Sequence, residues 1–114
     1  MIALLAAVLV AVSAGGIASA NSGTASANSK SWLWNAFMCI HRYEGAWNAN
    51  TGNGYYGGLQ MDWSFMSAYG GWYLRHYGTA DRWSPATQIN VAIRAYRSGR
   101  GFSPWPTTRH YCGL

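Results

Sequence analysis

Glu44-Gly45-Ala46-Trp47-Asn48-Ala49-Asn50-Thr51-Gly52-Asn53-Gly54-Tyr55-Tyr56-Gly57-Gly58-Leu59-Gln60 is the stretch on which the fold turns. It begins with a lone carboxylate and crosses a run so rich in Gly and Asn that no helix survives it. Asn53-Gly54, between Thr51 and Tyr55-Tyr56, is a hairpin-turn signal. The spacing predicts a short, Gly-rich β-like excursion, with Leu59-Gln60-Met61 as a buried return strand.

Outward from this stretch the pattern becomes helical on both sides. Upstream, Trp32, Leu33, Ala36, Phe37, Ile40 and Tyr43 recur at helical spacing. Ser31 is the candidate N-cap and Gly45 the stop, which puts Glu44 at or just beyond the last turn. Downstream, Asp62 is expected to cap a second helix running to about Tyr69 and halted by Gly70-Gly71. A short third helix is expected over Trp72–Tyr77. Ser84-Pro85 is a strong helix start, followed by a stripe of Ile89, Ala92, Ile93 and Tyr96 that Gly99 ends. Pro104-Trp105-Pro106 is stiff and extended, and Trp105 is expected to wedge against the Trp32–Tyr43 helix. The predicted fold class is α+β, mostly helical with a minimal β-hairpin.

Residues 2–12 are an uncharged apolar run, followed by Ala18-Ser19-Ala20, a small-x-small cleavage pattern. No Lys or Arg precedes the run. It falls short of the roughly 20 apolar residues a membrane span needs. The predicted organisation is therefore a signal peptide over 1–20, a small, polar, flexible lead-in over 21–31, and a single domain over 32–114. A short membrane-tethered or interfacial segment is the competing reading of the N-terminus. Export implies a secreted or cell-wall-associated product with no stable membrane insertion after cleavage, expected to be a monomer.

An exported chain with two cysteines, Cys39 and Cys112, reads as one disulfide. Two Cys and three scattered His have no zinc-ligand spacing, so neither metal nor cofactor is expected. The net charge of +5 favours anionic partners; export argues against nucleic acid. Seven Trp and eight Tyr exceed what one small core absorbs, which leaves rings at the surface to stack on sugars.

Only three carboxylates exist: Glu44, Asp62 and Asp81. Asp62 has a capping role, and Asp81, in the turn-like Thr79-Ala80-Asp81-Arg82, is expected to pair with a neighbouring arginine. Glu44 lies between Tyr43 and Trp47 at a seam of helix and loop. An apolar setting favours the protonated form of a carboxylic acid, as general-acid catalysis requires. Residue spacing alone leaves Glu44 open between a catalytic acid and an ordinary helix-terminal glutamate.

The full pattern E-x-x-W-x-x-N-T-G-N-G-Y-Y-G-G-L-Q over residues 44–60 closely resembles the core motif of the resuscitation-promoting factors. It is equally similar to the related transglycosylase-like domains of high-GC Gram-positive bacteria. Weaker similarity extends through Gln88-Ile89, Val91-Ala92, Trp105-Pro106 and Cys112-Gly113-Leu114, so that it covers nearly all of 32–114. The resemblance implies a lysozyme-like fold, activity on peptidoglycan glycan strands, and a single catalytic glutamate at Glu44. One departure stands out. In the resuscitation factors the first cysteine directly precedes the catalytic glutamate, whereas Cys39 precedes Glu44 by five residues. Four helical positions turn a residue about 400°, leaving it on nearly the same face. A disulfide displaced by one turn is therefore expected.

The resemblance implies that one glutamate suffices, as in lytic transglycosylation, which is slightly favoured over a hydrolytic muramidase. Candidate glycan contacts are Thr51, Asn53, Tyr55, Tyr56 and Gln60, on a loop whose missing side chains let a glycan approach the backbone. Asn53 reads equally as a turn residue and Gln60 as a buried hydrogen-bonder. One of the two tyrosines belongs to the core, because strand neighbours face opposite ways. Two other functions compete: a non-catalytic glycan-binding module and a cationic membrane-active protein. The scatter of arginines along the chain weakens the second.

Overall fold

The structure, a computed structural model, describes residues 27–114, so the signal-peptide reading of 1–20 and most of the lead-in fall outside the described residues. The chain divides into two units at Trp32/Leu33. In the first, residues 27–32 are helical and exposed. Ser31, expected as an N-cap, is thus inside helix. The second unit, Leu33–Leu114, carries the core and the candidate site.

Within this unit helix α1 occupies residues 33–44 and ends at Gly45, whose N–H still reaches the His41 carbonyl at 3.3 Å. Its inward stripe of Leu33, Ala36, Phe37 and Ile40 is buried. Complete burial of Phe37 and Ile40 contributes about 1.5–3 kcal/mol each.

The β-hairpin does not form. Residues 45–62 hold only two isolated bridges, Asn50 with Tyr56 and Tyr56 with Met61, and the expected return strand is a turn. Tyr56 and Met61 exchange N–H···O bonds of 3.0 and 2.9 Å, with Gln60 in the left-handed region at φ 50°. The remaining backbone groups find partners outside any ladder. Gly57 N–H donates to Ala49 O at 2.8 Å, and Gly58 N–H donates to the Gln88 side-chain oxygen at 2.8 Å. Buried backbone donors require some partner; here a distant glutamine does what a neighbouring strand would.

Helix α2 spans Trp63–Tyr77 and starts where expected, with Asp62 accepting the Phe65 N–H at 2.8 Å. Its regular geometry breaks at Gly70, as expected: φ is −132° and ψ 32° there, and the helical segment before it meets the one that runs on to Tyr77 across a kink. A Cβ at Gly70 would come within 2.7 Å of the Trp83 ring and 3.2 Å of Val91. The glycine is there for close packing. After a 3₁₀ turn at Ala80–Arg82, helix α3 runs over Pro85–Ala95, capped by Ser84, whose hydroxyl accepts the Thr87 N–H at 3.1 Å. A π-helical turn, Tyr96–Arg100, closes it, with Gly99 at φ 108°.

The C-terminal segment returns over α1. Trp105 is buried, its ring edge-on to Phe37 at 5.0 Å and to Phe65 at 5.6 Å, and its indole N–H donates to Leu59 O at 2.8 Å. It is the wedge expected against α1. The one-turn helix α4, Thr108–Tyr111, follows, and Cys112 at its C-cap is bonded to Cys39 on α1.

Candidate active site

Glu44 is the last residue of α1, half-buried, and its Oε1 accepts a hydrogen bond from the Thr108 hydroxyl at 2.7 Å. Thr108, the first residue of α4, is itself buried. The pair bridges 64 positions of sequence. Glu44 and Thr108 line a 330 Å³ cavity with Tyr55, Gln60, Pro104, Trp105, Pro106 and Thr107. A second cavity, of 410 Å³, shares Tyr55, Gln60 and Pro104 and extends past Asp62 to Phe65, Tyr69 and Arg100. Through the shared residues the two make one groove with Glu44 near one end and Arg100 near the other.

The groove's far end is built on α2 and the π-helical turn. The Arg100 guanidinium stands over the rings of Phe65 and Tyr69, 5.8 and 5.9 Å from their centroids. The Ser98 hydroxyl, helped by Arg100 and opposed by desolvation, holds the Tyr69 phenol below its ordinary pKa.

The aromatic surroundings of Glu44 differ from those its neighbours in sequence suggest. Tyr43 is exposed and pairs with Tyr111 at 5.2 Å, while Trp47 stacks on His41 at 3.7 Å. Neither lines the cavity. Tyr55 and Trp105 do.

Of the residues singled out as glycan contacts, Tyr55 and Gln60 lie with Glu44 in the groove. The Gln60 amide is held by a 3.0 Å bond to Gly57 O. Thr51 and Asn53 are exposed on the loop and line neither cavity, and the Asn53 side chain accepts the Tyr55 N–H at 3.0 Å as a turn residue does. Tyr56 packs against the core. Of the loop glycines, Gly52 and Gly54 have open space around them, whereas Gly57 and Gly58 are packed against protein. A Cβ at Gly57 would meet Gln88 Oε1 at 2.4 Å, and one at Gly58 would meet Trp47 at 2.4 Å and His41 at 2.6 Å. They admit protein.

Asp62 is occupied as the α2 cap. Asp81 accepts the Thr79 hydroxyl in place of the arginine expected for it. Two residues that organise the site are not among the expected site residues. Gln88, completely buried, donates to Trp47 O at 2.9 Å and Trp83 O at 3.0 Å while accepting from Gly58, and so fixes the loop beneath Tyr55 and Gln60. Thr108 is the other. Gln88 lies in a stretch that carries the family resemblance, but no local pattern marks its role, and none marks Thr108. Among the described residues no cluster of His, Cys, Asp and Glu could hold a metal ion.

Comparison with known proteins covers this same region. The chain is 43% identical over 70 residues to resuscitation-promoting factor Rpf1 of Corynebacterium glutamicum, covering 61% of this chain and 35% of that protein. It is 44% identical over 62 residues to resuscitation-promoting factor RpfE of Mycobacterium tuberculosis, covering 54% and 33%. With RpfC of the same species the identity is 41% over 70 residues, covering 61% and 46%. The chain thus spans less than half the length of these relatives. The family model of the transglycosylase-like domain matches residues 38–108, from the turn of α1 before Glu44 through Thr108. That match takes in more than half of the chain and both ends of the Glu44–Thr108 bond, and the chain belongs to the transglycosylase-like domain family.

Proposed function

We propose that this protein cleaves the glycan strand of peptidoglycan, with Glu44 as its general acid. One observation carries the reading: Glu44 is the single carboxylate lining its cavity, half-buried and oriented by a hydroxyl, in a groove continuous with a second cavity of sugar-binding size. The carboxyl oxygen left free by Thr108 carries the proton to the glycosidic oxygen as the C–O bond breaks. Positioned proton transfer of this kind is worth about 10²–10⁴-fold in rate.

The second half of the reaction follows from the carboxylate inventory. Hydrolases with two carboxylates place the partner about 5–9.5 Å from the acid. Asp62 lines only the adjoining cavity, with one oxygen committed to the Phe65 amide. We therefore favour lytic transglycosylation over hydrolysis. The muramyl C6 hydroxyl attacks the anomeric carbon, Glu44 takes up the hydroxyl proton, and a 1,6-anhydro sugar results. Tyr55 and Gln60 contact the sugars beside the scissile bond, and Thr51 and Asn53 reach substrate beyond the cavity. Tyr56 supports this loop from the core side. In the same reading residues 1–20 are a signal peptide, 21–31 a lead-in, and the domain acts outside the membrane as a monomer. Among the described residues no helix is long and apolar enough to cross a membrane.

Purified peptidoglycan incubated with the protein and analysed by mass spectrometry tests the reading. Anhydro-muropeptides, lighter by one water than reducing-end products, are expected. Reducing ends would make the enzyme a muramidase, and absence of any product would make it a binder. Glu44→Gln should lower turnover by about 10²-fold or more, the share of a general acid, while binding persists. A variant keeping half the activity would remove Glu44 from the mechanism.

A further inference from the structure

A third cavity, of 290 Å³, shares no residue with the Glu44 groove; its lining is Trp72, Tyr73, Tyr77, Arg82, Trp83, Ser84 and Thr87. It opens between the second half of α2 and the start of α3. Trp83 is buried and forms the floor, its indole N–H spent on Gly78 O at 2.8 Å. Trp72 and Tyr77 are about half exposed, at 50% and 56%.

The exposed indole is held in place before anything binds. His76 stacks on Trp72 at 4.2 Å and is tied to the Trp72 carbonyl through Nδ1 at 2.7 Å. Tyr73 and Tyr77 meet the same ring edge-on, at 5.2 and 5.7 Å. A rigid platform lowers the ordering cost of binding. At the rim stand the Ser84 and Thr87 hydroxyls and the Arg82 guanidinium, and no carboxylate lines the cleft. Ligand sites are largely apolar hollows with a few placed polar groups, and this one has that composition.

We infer that this aromatic cleft is a second saccharide site, taking an N-acetylated amino-sugar ring of the wall glycan at a distance from the Glu44 groove. The inference rests on the proposed activity for its choice of polymer. The indole of Trp72 offers a flat apolar surface to the axial C–H groups of a sugar; Arg82 and the Thr87 hydroxyl, which accepts from Ser84 at 3.0 Å and keeps its own proton to donate, meet its oxygen atoms. Membrane insertion is opposed by Arg75 and His76, which share the same turn of α2 with Trp72. Positive charge at the rim, in a chain of net charge +5, suits a polymer whose peptide stems carry carboxylates. A second attachment point turns rebinding into an intramolecular event on an insoluble substrate, a gain that commonly reaches 10²–10⁴.

Two measurements test this, and neither needs turnover. In the unaltered protein, triacetylchitotriose should shift the Trp72 indole N–H resonance in a saturable manner, and the shift should persist in Glu44→Gln. In the Glu44→Gln background, adding Trp72→Ala should weaken retention on purified sacculi about tenfold or more, given avidity of that order. With native Glu44, Trp72→Ala should leave cleavage of short soluble glycan fragments within about twofold, as expected of a site that adds only avidity. Tyr77→Ala, at the more exposed ring, serves if the first variant unfolds. An unmoved Trp72 resonance with unchanged retention overturns the inference. So does loss of phosphatidylglycerol-vesicle binding in Trp72→Ala without any sugar-induced shift. Failure of the proposed catalysis would instead appear as no products from a protein that still shows both sugar effects.

Discussion

The bond from Thr108 to Glu44 joins the end of α1 to the start of α4, and it defines which carboxyl oxygen faces the groove. A hydrogen bond to a charged group is worth about 1.5–3 kcal/mol, and each 1.36 kcal/mol is tenfold in rate. Thr108→Val keeps the volume and removes the hydroxyl. If the bond matters in the transition state, kcat should fall about 10- to 100-fold with KM little changed, by those same values. Thr108→Ser should restore most of the rate. Steady-state kinetics on a soluble glycan fragment decides it; equal loss in both variants would make Thr108 a packing residue only. Glu44 was legible as a candidate because its surroundings in sequence are unusual. Thr108 was not, because a threonine 64 positions away carries no local signal.

At the scale of elements, the sequence was readable wherever a short-range rule governs the structure. Asp62 and Ser84 both cap as expected, and the stripes of α1 and α3 face inward except at Trp32 and Tyr43, the two ends of the expected α1 stripe, which are exposed. The hairpin that does not form has one cause, a local signal overridden by a distant partner. Asn53-Gly54 makes its turn, but Gln88, 30 residues from Gly58, takes the backbone donor that a strand would have taken. Gly70 breaks the helix as its propensity suggests, and the Trp83 ring and Val91 lie close against the kink it makes. That makes a quantitative expectation possible. Gly70→Ala restricts the unfolded chain in its favour, but the new methyl would stand 2.7 Å from the Trp83 ring. Overpacking of a buried site costs about 1–3 kcal/mol. Restricting the unfolded chain favours alanine by about 0.4–1 kcal/mol, so packing decides the sign. Thermal unfolding of the variant should shift downward, and an unchanged or raised midpoint would return Gly70 to the status of a mere breaker.

For the molecule as a whole, the disulfide links stability to the site. Cys39 lies one turn before Glu44 on α1, and Cys112 caps α4, which begins with Thr108. The helix between Thr108 and Cys112 is a single turn, far shorter than the 12–15 residues an isolated helix needs. Its hold on Glu44 therefore depends on its anchors, Trp105 on one side and Cys112 on the other. The bond closes a sequence separation of 73 residues, for which chain entropy gives about 4 kcal/mol. Replacing both cysteines by serine should lower the unfolding free energy by about that amount. The midpoint should fall by about 4–8 °C for each kcal/mol in a domain of this size. The same anchors predict a second effect below the transition. With α4 tethered only through Trp105, Thr108 engages Glu44 for a smaller fraction of the time, and kcat should drop toward that of Thr108→Val. Combining the serine pair with Thr108→Val then separates the two roles. If the disulfide acts on catalysis through Thr108, the triple variant loses little more rate than Thr108→Val alone, because coupled sites are not additive. Full multiplication of the two rate losses would mean that the bond supports the groove by some other route. An unaltered rate in the serine pair, measured where the fold persists, would confine the disulfide to stability.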